Sequence, residues 1–247
     1  MSIYSSLDSV QKEVYKCMKC GNCQAVCPIY KEIKKEVGVA RGKIGLIEMV
    51  LDGELDVSPG YADRMSLCTT CMACNEICPC GVRFDKIILA ARADAVRKRG
   101  LHPLKKTIFK TLKRQRLFDF GLKVGSKFQG VAFKRIEGKH YGARMRFNLG
   151  LGKDKVFPRL AAKPFRSQYP SVIKVDNPKM RVAFYTGCMI NYFYPDMGKA
   201  VVDVLTENDV EVVIPADQGC CGIPASVNGD VESAKALAIR NLKAFEE

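Results

Sequence analysis

The 247-residue sequence lacks the motifs of most enzymes that act on small substrates. It has only two histidines, and because neither His102 nor His140 lies near a nucleophile or carboxylate motif, we expect both on the surface. It also has no Gly-x-Gly-x-x-Gly after a predicted strand, and the isolated Gly150-Leu151-Gly152 is typical of a loop. Nothing in the sequence could therefore accept a hydride.

The sequence also lacks any apolar run of the roughly 18–20 residues that a membrane-spanning helix needs. The first four residues show no charged-then-apolar signal region. With 47% hydrophobic and 27% charged residues, the composition is that of a globular protein. We expect a cytoplasmic protein, with contact at the inner face of the membrane left open.

Positive charge is concentrated in the middle of the chain. The net charge is +14, but residues 97–181 have 24 basic and 4 acidic residues, and the remainder has 16 basic and 22 acidic. We predict a helical domain over residues 1–100, a basic connector over 101–180 and an incomplete α/β domain over 181–247. The predicted fold class is α+β.

Hydrophobic periodicity predicts helices in the first domain. One covers the apolar positions from Val39 to Leu51, and a second runs from Phe84 to Arg99 and is closed by Gly100. Residues 105–116 are typical of a basic helix, and beyond Gly125 the pattern weakens into a proline-containing connector.

The last 67 residues follow a strand–helix–strand–helix pattern. Strands are predicted over 182–185 and 210–214, a helix over 196–205, and a final helix capped by Asp230. This order predicts a right-handed parallel βαβα unit.

Twelve cysteines are present, and eight of them form two identical runs, Cys-x-x-Cys-x-x-Cys-x-x-x-Cys-Pro. Tight runs of this kind differ from the spread pattern of a disulfide framework. The runs are Cys17, Cys20, Cys23 and Cys27, then Cys68, Cys71, Cys74 and Cys78.

The runs resemble those of bacterial-type ferredoxins, in which three close cysteines hold one [4Fe–4S] cluster and the fourth ligates the other cluster. The resemblance implies two clusters with crossed ligation. Structural zinc, the alternative, prefers two Cys-x-x-Cys pairs separated by a longer loop. The implied ligand sets are Cys17, Cys20, Cys23 and Cys78 for one cluster, and Cys68, Cys71, Cys74 and Cys27 for the other.

Cys80 is interpreted as a bystander thiol, with a spare ligand as the alternative, because the set of eight is complete without it. Four cations flank the runs, and we leave open whether they offset cluster charge or are solvated surface charges. They are Lys16, Lys19, Arg83 and Lys86.

Forty residues separate the two runs, and they include Val39-Ala40-Arg41-Gly42-Lys43 before the second run. This arrangement resembles the two-cluster domain of the iron–sulfur subunit of glycolate oxidase. The same domain occurs in the iron–sulfur subunit of anaerobic glycerol-3-phosphate dehydrogenase and in heterodisulfide reductase-like proteins.

The last three cysteines follow the two predicted C-terminal strands, where α/β folds place ligands. Cys188 lies after the first strand, and Cys220 and Cys221, followed by Gly222, lie after the second. They resemble the start of the cysteine-rich CCG module of the same families. Only 26 residues follow Cys221, and they contain no Cys-x-x-Cys to close the module, so we expect an incomplete third site. It either binds no metal or holds a further cluster that another chain completes.

The resemblance implies an electron-transfer protein. Single electrons would pass from an FAD-linked dehydrogenase of the glycolate, lactate or glycerol 3-phosphate type to a quinone, a disulfide or another carrier. The basic connector could contact an acidic partner protein, anionic lipid or nucleic acid. The alternatives are a nucleic-acid-binding iron–sulfur protein, which no recognisable binding motif supports, and a cluster-bearing scaffold or regulator without turnover.

Overall fold

The computed structural model of the chain describes residues 6–136, 142–146 and 155–246. Over these residues the fold is α+β, as predicted, because helices fill the N-terminal region and strands occur only after residue 132. Two compact units are present. One contains the described residues up to Thr107 together with Gly222–Lys235, and the other contains those from Ile108 to Cys221 together with the residues from Ala236 onward. The domain borders predicted after residues 100 and 180 stay predictions.

Short and long helices form the first unit, with 3-10 turns at Asp8–Val10 and Glu36–Gly38. The helices that precede the second cysteine run are α1 (Gln11–Val14), α2 (Asn22–Val26), α3 (Pro28–Ile33), α4 (Ala40–Leu51) and α5 (Pro59–Ser66). Those that follow are α6 (Ala73–Glu76), α7 (Phe84–Arg99) and α8 (Pro103–Lys113), the last of which continues beyond Thr107.

The two helices predicted in this region are confirmed. Helix α4 lies within the predicted segment, and α7 begins and ends at the predicted residues, where Gly100 adopts a positive φ of 79°. Both helices bury their apolar faces in one hydrophobic core, whose large buried side chains include Ile44, Ile47, Tyr61, Met65, Ile87 and Ile88. Replacing a buried isoleucine of this kind by alanine typically costs about 2–5 kcal/mol, so this core fixes the helices beside the cysteine runs.

The second unit continues with α9 (Gln115–Ala132) and a three-stranded antiparallel sheet, β1 (Phe133–Arg135), β2 (Gly142–Met145) and β3 (Val156–Pro158). Gly125 and Gly130 lower the helix propensity of this segment, which explains its weak pattern. The helix nevertheless continues to Ala132. His102 is exposed, as expected, whereas His140 and Gly150-Leu151-Gly152 lie outside the described residues.

The predicted order of strand, helix, strand and helix is present along the chain. It comprises β5 (Met180–Ala183), α10 (Gly187–Tyr192), α11 (Pro195–Glu207) and β6 (Val210–Val213), and then α12 (Ile223–Ser226) and α13 (Val231–Glu246). Strands β5 and β6 are parallel, with Val182 opposite Val212, and Asp230 caps α13 by accepting a hydrogen bond from the Ser233 amide.

The C-terminal sheet has one strand more than the sequence predicted. Strand β4 (Val172–Ile173) lies antiparallel to β6, in the order β4-β6-β5. It falls within the segment interpreted as connector, and two residues are too few to show a strand periodicity. In the part of the chain that the structure describes, no helix combines the length and the hydrophobicity of a membrane span.

Candidate metal centres

Each cysteine run curls because its backbone enters the left-handed region at the same two places. In the first run these are Lys19 (φ 57°) and Gly21 (φ 93°), two and four residues after the first cysteine. In the second run Thr70 (φ 54°) and Met72 (φ 64°) occupy the equivalent positions. Three of these four residues carry a side chain, for which this conformation is unfavourable. The sequence therefore gives no local signal for three of the four turns.

The curled runs line two cavities in the first unit. Each cavity is lined by three cysteines of one run and the last cysteine of the other run, and Cys74 of the second run reaches both cavities. Cys17, Cys20, Cys23 and Cys78 line one cavity, and Cys27, Cys68, Cys71 and Cys74 line the other. We call these the first and the second site. The structure brings together the sets that the ferredoxin resemblance implied, and the ligand roles themselves stay a prediction.

Four thiols that line one cavity suit a polynuclear iron–sulfur group, which cysteine thiolates hold. Among the residues that the structure describes, no three His, Cys, Asp or Glu side chains converge closely enough to hold a single metal ion. Ala40, Cys74 and Phe84 line both cavities. The two sites therefore share one wall.

Backbone amides point at three of the thiols. Cys27 caps α3, which Pro28 opens, and its sulfur accepts a hydrogen bond from the Tyr30 amide at 3.4 Å. The Val82 amide donates to Cys78 at 3.4 Å, and the Thr70 amide donates to Cys68 at 3.3 Å. Hydrogen bonds to cysteine sulfurs are among the features that set the potential of an iron–sulfur cluster when one is bound.

Burial changes the pKa of the more enclosed thiols. It raises the pKa of Cys17 and Cys23, and it raises the pKa of Cys74 to about 12. Metal-free thiols at these positions are therefore protonated near neutral pH, and metal binding there would release protons.

The flanking cations that the sequence singled out are mostly paired. Lys16 contacts Glu13 at 2.7 Å, Lys19 contacts Glu48 at 2.6 Å, and Arg83 contacts Asp85 at 3.0 Å. Cys80 lines the first cavity beside the four predicted ligands. Its proximity is compatible with both roles, spare ligand and bystander thiol.

Sequence reasoning missed two buried cations near the second site. Lys43 is fully buried, and its Nζ donates to the Val37 carbonyl at 2.6 Å. Arg92 is 8% exposed and donates to the backbone carbonyls of Met65 and Cys68. Both residues look like ordinary helical surface charges in the sequence, because nothing local shows which helix face is enclosed.

The C-terminal cysteines also come together, in the second unit. Cys188 lies in the first turn of α10, and a hydrogen bond with Cys220, together with burial, raises the pKa of its thiol. Cys220 is buried and Cys221 is exposed. Burial and the three nearby cysteines raise the pKa of Tyr185, whose hydroxyl donates to the Gly219 carbonyl at 2.8 Å.

Gln218 connects the two strand ends that carry these cysteines. Its side chain is fully buried, and its Oε1 accepts hydrogen bonds from the amides of Thr186 and Gly187. Its Nε2 donates to the carbonyls of Phe184 and Pro215. Asn241 adds a second link, because it accepts from the Gly219 amide and donates to the Cys220 carbonyl.

Comparison with known proteins supports two domains. Residues 13–82 match the family model of a 4Fe-4S dicluster domain, and residues 182–247 match that of a cysteine-rich domain, CCG. The dicluster match supports two [4Fe–4S] clusters as the cofactors of the N-terminal region. No solved structure matches the chain significantly.

Curated relatives align with nearly the whole chain. A probable glycolate oxidase iron-sulfur subunit from Bacillus subtilis is 28% identical over 95% of this chain and 54% of its own length. One subunit of the anaerobic glycerol-3-phosphate dehydrogenase of Escherichia coli is 27% identical over 94% of this chain and 56% of its own length. One subunit of the fumarate reductase (CoM/CoB) from Methanothermobacter marburgensis is 26% identical over 95% of this chain and 40% of its own length.

These matches confirm the resemblance that the cysteine motifs indicated. The chain spans about half the length, or less, of these relatives. The comparisons give no support to the nucleic-acid-binding alternative.

Proposed function

We propose that this chain is an iron–sulfur electron carrier that receives single electrons from a flavin-linked dehydrogenase and passes them to a quinone, a disulfide or another carrier. The observation that carries the proposal is the pair of four-cysteine cavities that share one wall. Relatives named as subunits of glycolate oxidase and of glycerol-3-phosphate dehydrogenase indicate the class of partner.

When bound, [4Fe–4S] clusters would supply one-electron redox chemistry, with the eight cysteines as ligands. The chain's own part is to hold the two sites rigidly and close together, because electron tunnelling falls steeply with distance. The core around α4 and α7 does so, since Ala40 and Phe84 of these helices form the shared wall with Cys74.

Each site also reaches the surface. Cys20 of the first site and Cys71 of the second are exposed, whereas the other six predicted ligands are partly buried. One exposed edge per site provides a separate place for a donor and for an acceptor to approach. A carrier needs both, whereas a purely structural cluster needs neither.

The test is an oxygen-free preparation of the chain analysed for iron, sulfide and reversible reduction. We expect about eight irons per chain and, after reduction, paired EPR signals that interact across the shared wall. Reduced protein should then be reoxidised by a soluble quinone analogue. Zinc in place of iron and sulfide would contradict the proposal. Full cluster content without reoxidation would favour the scaffold or regulator alternative.

We further propose that the dehydrogenase partner is FAD-linked and that any cluster at the Cys188 site takes ligands from another chain. The FAD linkage rests on the resemblance to the glycolate oxidase and glycerol-3-phosphate dehydrogenase subunits. The second part rests on Cys188, Cys220 and Cys221, which come together after β5 and β6 and provide three thiols. Mixing the chain with a candidate partner should raise the iron content above about eight only if the partner supplies the missing ligands.

The basic connector over residues 101–180 supports a peripheral contact with anionic lipid at the inner face of the membrane. Helix α9 exposes a stripe of large apolar side chains spaced three or four residues apart, so that they share one face. They are Leu117, Phe120, Val124, Phe128 and Val131. Exposed Arg116, Lys123 and Lys127 flank the stripe. Large apolar side chains beside cations are typical of interfacial helices.

Vesicle sedimentation tests this contact. The chain should bind vesicles that contain anionic phosphatidylglycerol and should bind neutral phosphatidylcholine vesicles weakly, with binding lost as salt increases. Replacing Phe120 and Phe128 by serine should abolish binding, whereas Leu242→Ser, which removes an equally exposed apolar side chain from α13, should not. If the double variant bound the anionic vesicles as well as the unmodified chain does, a contact through α9 would be contradicted.

A further inference from the structure

Charges around the first site are compensated. Lys19 is paired with Glu48 at 2.6 Å, and the Arg41 guanidinium is paired with Glu36. The Glu48 side chain is only 14% exposed, and its negative charge acts on Cys17. An additional negative charge in the first cavity would therefore meet cations that carboxylates already neutralise.

Charges around the second site are not compensated in this way. Lys43 acts electrostatically on Cys27, Cys68 and Cys74, and no described carboxylate lies within 4 Å of its ammonium group. Its hydrogen bond to the Val37 carbonyl holds the charge in place without cancelling it.

Arg92 adds a second buried cation on the same side. Its guanidinium donates to backbone carbonyls, including that of Cys68, and its charge acts on the Cys68 sulfur. One carboxylate, Asp85, lines the second cavity, and it is paired with Arg83 at 3.0 Å and with the Asn75 amide at 2.6 Å. The second site therefore retains two buried positive charges that no described carboxylate offsets.

We infer that Lys43 and Arg92 make the site of Cys27, Cys68, Cys71 and Cys74 the one with the higher reduction potential, so that the first electron to enter the protein rests there. This inference deepens the proposed function and rests on it.

The physical reason is that reduction adds one electron, with no bond made and no proton moved. Buried cations stabilise the added negative charge, and they do so strongly because the low dielectric of the interior screens them little. Lys43 and Arg92 thus act through their charge on where the electron rests, and they do not ligate the cluster. Burial lowers the pKa of Lys43, while the thiols around it raise it again, so an anionic group in this cavity favours the charged ammonium.

The experiment is an EPR-monitored redox titration of the fully loaded chain with dithionite as the reductant. Two one-electron waves are expected for the unmodified protein. Lys43→Met should shift only the higher-potential wave downward, so that the ratio of reduced to oxidised cluster at a fixed potential falls at least tenfold, or about 59 mV. Lys43→Arg, which keeps the charge, should return this wave to its potential in the unmodified protein. Lys12→Met, which removes an exposed cation, should leave both waves in place.

A second variant keeps the inference testable if Lys43→Met fails to fold. Glu48→Gln removes a carboxylate from the first site. It should raise the potential of only the lower-potential wave, so that the difference between the two potentials becomes smaller. A shift of the lower wave by Lys43→Met, a shift of the higher wave by Glu48→Gln, or no shift in a folded variant would overturn the inference. If two iron–sulfur waves were absent altogether, the proposed function would fail first.

Discussion

Gly42 is the residue of α4 whose replacement should be most informative. A Cβ added there would lie 2.2 Å from the Glu36 carbonyl oxygen and 2.7 Å from its carbon. Both atoms belong to backbone, so neither can rotate away. In the same helix, a Cβ at Gly45 would meet nothing within 4 Å. The pair Gly42→Ala and Gly45→Ala therefore separates close backbone approach from helix propensity.

Both substitutions gain about 1 kcal/mol from the higher helix propensity of alanine. Only Gly42→Ala also adds an overpacking cost, which is typically about 1–3 kcal/mol. We expect Gly45→Ala to stabilise the protein by about 1 kcal/mol and Gly42→Ala to be less stable than Gly45→Ala by about 1–3 kcal/mol. Urea unfolding under oxygen-free conditions, followed by circular dichroism, measures both values.

The backbone shift that a Cβ at Gly42 forces should damage the second site before the first. The turn that Gly42 contacts includes Gly38, whose carbonyl accepts a hydrogen bond from Cys27, and Val37, whose carbonyl binds Lys43. We expect Gly42→Ala to lose iron from the second site first. Equal stability and equal iron content in the two variants would refute this account of Gly42.

Two further predictions concern buried polar groups. Gln218→Leu leaves four backbone groups without a side-chain partner. It should therefore lower the free energy of unfolding by about 3 kcal/mol or more. Gln168→Leu, at an exposed position, should change the free energy of unfolding by less than about 0.5 kcal/mol. Metal-free protein should lose stability as the pH rises from about 9 towards 12. Burial raises the pKa of Cys74 to about 12, so in this range the folded chain keeps a proton that the unfolded chain has released. Urea midpoints at about pH 8 and about pH 10 test this, and a metal-free Cys74→Ser variant that lost stability just as steeply would contradict it.

Regular elements with strong local patterns could be predicted from the sequence. The ends of α7 follow from an apolar period that stops at Gly100, and the parallel pairing of β5 with β6 follows from their alternation with helices. Strand β4 could not be predicted, since its two residues become a strand only by pairing with β6.

The candidate sites divide in a similar way. The eight cysteines are evident from spacing alone, because ligand geometry imposes a short repeated pattern. The left-handed turns at Thr70 and Met72 are not, since tertiary contacts must hold such residues there. The burial of Lys43 and Arg92 also depends on the packed core, and no window of sequence contains it.

Ligand substitution combined with EPR tests the crossed arrangement of the two clusters most directly. We predict that Cys78→Ala loses the same signal as Cys20→Ala, that Cys27→Ala loses the same signal as Cys71→Ala, and that Cys80→Ala keeps both signals. If Cys78→Ala lost the signal that Cys71→Ala loses, each run would ligate its own cluster, and the shared arrangement of the two sites would be wrong.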